Sequence, residues 1–410
     1  MSTERKRQVP NYITNGGEMQ IAVRVGASGK PLKMRPTLIG RCGFESRHAY
    51  KKNGYMSTKE NKDFLKRLMD APSPSGYEEL CVEEFVGEIE KYAYGSFPYY
   101  DNIGNTYFKM GHGPKKILLS GHIDEVYATV VNISDDGMIA IGNAGGIDRK
   151  DLVASEVVII KDDMTTIDGI AIKVPLHIEN REEMYDKITK IEDLRVDIGC
   201  ESKKEVLDMG VHPGSPLIYK KHNCMEFGEN KMYGTGLDDK IGVFVAEEIF
   251  RSLARSEDEW WKEEYTVYCL AATQEEVGCR SVCVAAKEIN PDVSIDFDVI
   301  FATDGDLGIK KNVYGDVSLG KGAVICYGPE KSLRLNKVLK TSSNAPYQEA
   351  ATGRAGGTNT DNIQKFSKDC ETTLVSIPNR SMHTRVETCD WRDVDSAVEI
   401  VTNAIIKMLI

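Results

Sequence analysis

Three apolar runs each break off into a cluster of carboxylates or histidines, and that coincidence restricts the fold more than any other feature of this chain. KKILLS (115–120) gives way to GHIDE, YTVYCLAAT (265–273) to QEEVG, and FDVIFAT (297–303) to DGD. Runs this short and apolar, rich in β-branched and aromatic residues, read as strands buried on both faces. AVICYG and TTLVSI read the same way. Helical patterns lie between them: 58–70, 77–92, KIGVFVAEEIFRSLA behind Asp238, LRLNKVLKTSSN, and VDSAVEIVTNAIIKMLI at the end. Such alternation folds as helices packed on both faces of a largely parallel sheet. In such sheets ligands bind beyond the carboxyl ends of the strands, which is where the polar clusters fall.

Residues 126–222 interrupt this rhythm. Short strand patterns, VYATVVNI, GMIAIG, SEVVII and GIAIKV, alternate there with Gly and Asp turns, the signature of a small β-barrel or sandwich. One short helix near its end is marked by the capping-box spacing of Ser202 and Glu205 and by Gly210 at the C-cap. The chain therefore reads as one α/β domain, 56–125 plus 223–410, carrying a β-rich insert. Such a module has strand edges to cover, and pairing between subunits would cover them, so a homo-oligomer joined through 126–222 is expected.

Residues 1–55 are basic, full of Gly breakers and without sustained periodicity. They read as a disordered tail. A second reading starts from CGFESRH (42–48). It can be back-translated into a string holding GCGGG, TTCGAAT and CCCGC, a stem and loop like the T-arm of a transfer RNA. On that reading the segment is a translated upstream region and Met56 is the true start.

The formal net charge of −11 argues against a general nucleic-acid binder, which needs a basic face. No apolar run approaches the ~18 residues of a membrane span. Ten cysteines without a C-x-x-C pair argue against a zinc ribbon. With no export signal visible, they suggest a reducing cytoplasm.

The strand-end clusters supply His122 and Asp124, Asp238 and Asp239, Glu275 and Glu276, Asp304 and Asp306, and His383. Singly, each has an ordinary structural explanation: an N-cap, a turn, a hydrogen-bonded histidine. Together, two histidines and several carboxylates are the donor set of a two-metal site. His-x-Asp on a strand puts both side chains on one face, so Asp124 can orient the His122 imidazole. Charge closes the argument. Two divalent ions are balanced by Asp238, Glu276, Asp304 and a bridging hydroxide, which leaves Glu275 free as a general base.

HIDEV, GGIDRK, LRVDIGCESKKEVLDMGVHPGSPL, GTGLDDKIG, QEEVGCRS, TDGD, LGKGAVICYGP, PYQ, GGTNTD and SIPNRSMHTRVE follow one another in an order that resembles family forty-two of the metallopeptidases. These are the glutamyl and tetrahedral aminopeptidases, some of which carry the label endoglucanase. The resemblance covers about 58–410. It implies a three-layer α/β/α di-metal exopeptidase domain with an inserted β-barrel that mediates dimerisation, often toward dodecamers. It also implies two divalent ions per subunit, zinc or cobalt, and peptide substrates cleaved after the first residue. His122 and Glu276 would bind one ion, His383 and Asp304 the other, with Asp238 bridging both. Glu275 would be the base and Asp124 the orienting group. The loop GRAGGTNTDN (353–362), longer and more polar than the family's GGTDA form, would place Gly356, Gly357 and Thr358 against the substrate. Tyr127 stands where the family pattern has Gly. The same centre could serve an N-acyl amino acid or peptide deacylase. A glycosidase needs two opposed carboxylates and no metal, which leaves the histidines without a role. A non-catalytic scaffold would be favoured by a missing ligand, and none is missing.

Nothing in 1–55 supplies a ligand in this scheme. A chain beginning at Met56 is therefore expected to keep full activity; a well-folded chain of that length with much lower turnover would show that the segment takes part.

Overall fold

The structure, a computed structural model, describes residues 57–173, 190–221, 224–351 and 357–407. The 1–55 segment and Gly356 lie outside them. YTVYCLAA forms β12 (Tyr265–Ala272), buried along its whole length. Such a strand needs neighbours on both sides to satisfy its backbone. It has β2 (Thr106–Gly111), antiparallel, and β3 (Lys115–His122), parallel. With β1 (Tyr99–Tyr100), β13 (Val293–Phe301), β14 (Ala323–Tyr327), β15 (Tyr347–Ala351) and β16 (Glu371–Asn379), the sheet has eight strands in the order β1-β2-β12-β3-β13-β16-β14-β15. The run β12-β3-β13-β16 is parallel throughout, so four carboxyl ends share one edge.

Helices Lys59–Asp70, Glu79–Ile89, Leu237–Ala254 and Trp391–Lys407 bury Phe64, Phe85, Phe244 and Val398 against one face of the sheet. Helices Val282–Ile289 and Asn359–Phe366 bury Val282, Ala286 and Ile363 against Leu118 and Leu270 on the other. The result is the three-layer arrangement expected. Close packing explains Gly121 in β3: a Cβ there would sit 2.5 Å from the Gly242 backbone of helix Leu237–Ala254.

The insert is a closed six-strand barrel, β4-β5-β8-β7-β6-β9. Its strands are β4 (Tyr127–Ile133), β5 (Ile139–Ala144), β6 (Glu156–Ile160), β7 (Thr166–Ile172), β8 (Arg195–Asp197) and β9 (Pro216–Tyr219), around Val130, Ile139, Val157, Val196 and Leu217. Ser202 caps its short helix by accepting from Glu205 N, and Gly210 follows the helix at φ +88°. The strand edges expected to be covered by a second subunit are not there, because a closed barrel has none. Instead its outer surface carries apolar side chains, such as Ile170 and Ile172 on β7, 56% and 39% exposed. A small sheet of β10 (Met225–Phe227), β11 (Lys231–Gly234) and β17 (Glu387–Asp390) leads back toward the main domain. Among the described residues no helix is long and apolar enough to cross a membrane.

The two crossings between domain and insert meet on one buried carboxylate. Glu125, at the exit, accepts from Ser73 N at 2.8 Å, from Lys221 Nζ, at the return, at 2.9 Å, and from Lys240 Nζ at 3.1 Å. Burial alone would raise the Glu125 carboxyl, but the two ammonium groups outweigh it and hold it down at about 2. Breaking a buried ion network by removing one partner costs about 3–5 kcal/mol. Glu125→Gln should therefore lower the urea unfolding free energy by roughly that much at neutral pH. Because the folded carboxyl is depressed, its contribution is complete above its ordinary value of 4.5 and is lost as pH falls toward about 2. The gap between wild type and variant should close over that window, and a gap independent of pH would refute the assignment.

Candidate metal centre and active site

His122 is the last residue of β3, two residues beyond where the apolar run stops. Register fixes its neighbour on β13. Asp296 pairs with Ser120 in the parallel ladder, so Asp298 comes level with His122 on the same face. Its Oδ1 lies 4.0 Å from His122 Nε2. Asp238 opens helix Leu237–Ala254, and its peptide bond to Asp239 is cis. The two oxygens of Asp238 face two rings: Oδ1 is 3.2 Å from His122 Nε2, and Oδ2 is 3.1 Å from His383 Nε2. Glu276 Oε2 approaches His383 Nε2 at 3.3 Å, and its other oxygen is buried without a partner.

Both rings are oriented from behind. His122 Nδ1 faces the Asp124 carbonyl at 3.2 Å and its Oδ1 at 3.4 Å; His383 Nδ1 faces the Gly146 carbonyl at 3.1 Å. A neutral ring donating through Nδ1 would turn its Nε2 lone pair inward, the tautomer a metal ligand needs. Gly146 belongs to the insert, and a Cβ on it would lie 2.5 Å from the His383 ring, so the ring can sit against that carbonyl only over a glycine.

Asp124 does more than orient a histidine. Its Oδ1 accepts from Glu275 N at 3.0 Å, and its Oδ2 from Glu276 N at 3.1 Å and Ser75 Oγ at 2.6 Å. The adjacent glutamates are thus held by their backbone, which frees both carboxylates to face the centre. Glu275 Oε2 is 3.9 Å from His122 Nε2.

The electrostatics are those of a site short of positive charge. Burial, reinforced by neighbouring carboxylates, pushes Asp298 and Asp239 well above the usual range and Glu276 up to about 7; burial also raises Glu275. Burial would depress both imidazoles, but the carboxylates overcome it, holding His122 well above its ordinary value and His383 up at about 11. Imidazole nitrogens facing carboxylate oxygens, with an orphaned glutamate oxygen beside them, suit divalent cations. The donors His122, Asp238 and Glu276 fall within 4.8 Å of one another, as do His122, Asp239 and Asp298. Asp239 is committed elsewhere in that second set, since its oxygens accept from His122 N and Gly242 N.

A sequence model of the M42 glutamyl aminopeptidase family matches residues 104–400. The chain belongs to that family. It is 28% identical to the lysyl aminopeptidase of Pyrococcus furiosus over 345 residues, 82% of this chain and 94% of the relative. A TET aminopeptidase from a marine sediment archaeon of the Thaumarchaeota superposes with a TM-score of 0.78 at 28% identity, covering 85% of this chain and 96% of that one. The TET1 peptidase of Pyrococcus horikoshii, described as assembling into a tetrahedron or a large octahedral shell, gives 0.71 at 28% identity over 84% and 98%. This M42 protein is accordingly an aminopeptidase.

In this M42 aminopeptidase His122, Asp238 and Glu276 lie together as expected, and Asp298 adds a further carboxylate beside His122. Glu276 lies within 4.8 Å of His122 and Asp238, and its Oε2 comes nearer to the second ring, 3.3 Å from His383 Nε2. Asp304, expected beside His383, forms an ion pair with Arg380 (Nη2 to Oδ2, 2.7 Å) and accepts from Leu319 N at 3.2 Å. The reason is position: Asp304 follows the end of β13, whereas Asp298 lies within the strand. A signal for Asp298 was present. Ser294, Asp296 and Asp298 recur at period two inside an apolar strand, marking a polar line on one face. Glu387 also went unread. Its Oε2 accepts from Asp238 N at 2.9 Å and its Oε1 from His383 N at 2.8 Å, so one buried carboxylate fixes the backbones of two donor residues. Of the proposed substrate residues, Gly357 O receives a 3.6 Å contact from the Cys279 thiol, and Thr358 Oγ1 is buried without a partner.

Proposed function

We propose that this chain removes the N-terminal residue of peptides, with Glu275 as general base beside a centre of two divalent ions, zinc or cobalt. The donors are His122, Asp238 and Asp298 on one side and His383, Asp238 and Glu276 on the other. The observation that carries the reading is the placement of two inward Nε2 atoms on opposite oxygens of Asp238. Two divalent ions held there would polarise the scissile carbonyl and acidify a water. Glu275 takes the proton from the attacking water and returns it to the leaving amine. Asp124 holds Glu275 and Glu276 in place through their amides, and Glu387 does the same for Asp238 and His383. The concentration of buried carboxylates favours a free α-ammonium group over a blocked one, which suits an aminopeptidase better than a deacylase.

Assembly is part of the same reading: a cytoplasmic homo-oligomer, of dimers or larger, in contact through the 126–222 insert. The self-assembly of the Pyrococcus horikoshii relative and the outward Ile170 and Ile172 support it. Ile170→Glu combined with Ile172→Glu is expected to shift the sedimentation of the protein toward monomer, and an unshifted oligomer would move the contact off this face.

Conservative substitutions separate the roles of the carboxylates. Glu275→Gln should keep two ions per subunit and lose about 10²–10⁴ in turnover of aminoacyl-anilides. Glu276→Gln and Asp298→Asn should each weaken one ion site, while Asp304→Asn should keep both. Metal counting by mass spectrometry beside the kinetics decides this. Loss of an ion from Glu275→Gln but not Glu276→Gln would exchange the roles of the pair. Loss from Asp304→Asn but not Asp298→Asn would restore Asp304 as a ligand.

A further inference from the structure

Cys279 lies four residues after Glu275, on the turn that carries the base. Its backbone is fixed at both ends: its N–H donates to Glu275 O at 2.7 Å, and its carbonyl accepts from Asn362 Nδ2 at 2.8 Å. Its φ is +50°, a region that glycine occupies without strain and other residues seldom enter. A side chain retained at such a position next to an active site invites a functional explanation. The residue is 8% exposed, and its Sγ lies 3.0 Å from Glu275 Oε1. The other carboxylate oxygen, Oε2, is the one that approaches His122 Nε2.

We infer that Cys279 is a positioning residue for the general base: its S–H holds Glu275 Oε1, so that Oε2 alone is presented to the reacting water. The inference rests on Glu275 being the base. A glutamate has three side-chain torsions, and a carboxylate free to rotate would offer either oxygen in many orientations. One weak donor on the far oxygen removes that freedom without adding a charge. The thiol stays protonated in this role, because burial and the Glu275 charge both push its pKa up. The Gly357 carbonyl is a second acceptor for the same proton, at 3.6 Å. When Glu275 takes up a proton, the S–H can turn to Gly357 O and leave no donors opposed. The competing explanation is apolar filler, since Cys279 packs with Ala272, Val282 and Ile363.

Alanine and serine distinguish the two. Alanine removes the donor at nearly the same size; serine keeps a donor but is more polar. With the metal-loaded enzyme, Cys279→Ala is expected to lower kcat roughly 3- to 10-fold, the worth of one modest hydrogen bond, with KM little changed. Cys279→Ser should recover most of that loss. Metal content and Tm are measured on both variants. A filler role predicts the reverse order, serine worse than alanine, and that result overturns the inference. So does a Cys279→Ala kcat within measurement error of wild type, or a kcat loss that follows loss of bound metal. Glu275→Gln is run alongside. If that variant remains fully active, the reading of Glu275 has failed; if it is inactive while Cys279→Ala is unaffected, only the thiol's role has.

Discussion

The Asp124 carboxylate is the point on which the centre depends. It is fully buried, and its oxygens reach Ser75, the amides of Glu275 and Glu276, and the His122 ring. Those groups come from the connection before helix Glu79–Ile89, the loop after β12 and the end of β3. Two adjacent glutamates repel each other, and their carboxylates would swing apart if the backbone were free. Bonds from both amides to one carboxylate fix the loop and let the two side chains diverge, Glu275 toward His122 and Glu276 toward His383.

Glu387 plays the matching part on the other half of the site. It holds the amides of Asp238 and His383, which come from the start of a helix and from the loop after β16. The insert adds the remaining restraint. Gly146 supplies the carbonyl behind His383, Asp148 N donates to His383 O at 3.3 Å, and Asp151 accepts from Arg385 N at 2.7 Å. The insert thus forms part of the wall of the candidate site. The Glu125 network, which staples both of its crossings, keeps that wall in register with the sheet.

Much of this was legible in the chain because it is local. Buried strands, amphipathic helices, the Ser202 cap and the barrel patterns follow from periodicity over a few residues. The inventory of donors followed from polar clusters where apolar runs stopped. His122, Asp238, Glu275, Glu276 and His383 all converge in space. Short patterns leave open how a cluster is assigned across the sheet. Asp304, at the end of an apolar run, is paired with Arg380. Asp298 was passed over because it sits inside one. The barrel edges expected to drive pairing vanish when β4 meets β9.

By itself, then, the sequence determined the elements, the strand-end polar clusters and the adjacent pair of glutamates, since hydrophobic period and residue type are properties of short segments. Only the tertiary structure decided which carboxylate faces which histidine. That depends on the parallel register of β3 and β13, which sets Ser120 against Asp296 and so brings Asp298 level with His122. It depends equally on the loops after β12 and β16, whose donors meet Asp238 from segments more than a hundred residues apart in the chain. Electrostatic contacts act over a few ångströms of space, and no pattern along the chain encodes a distance between strands that only the folded hydrogen-bond ladder establishes.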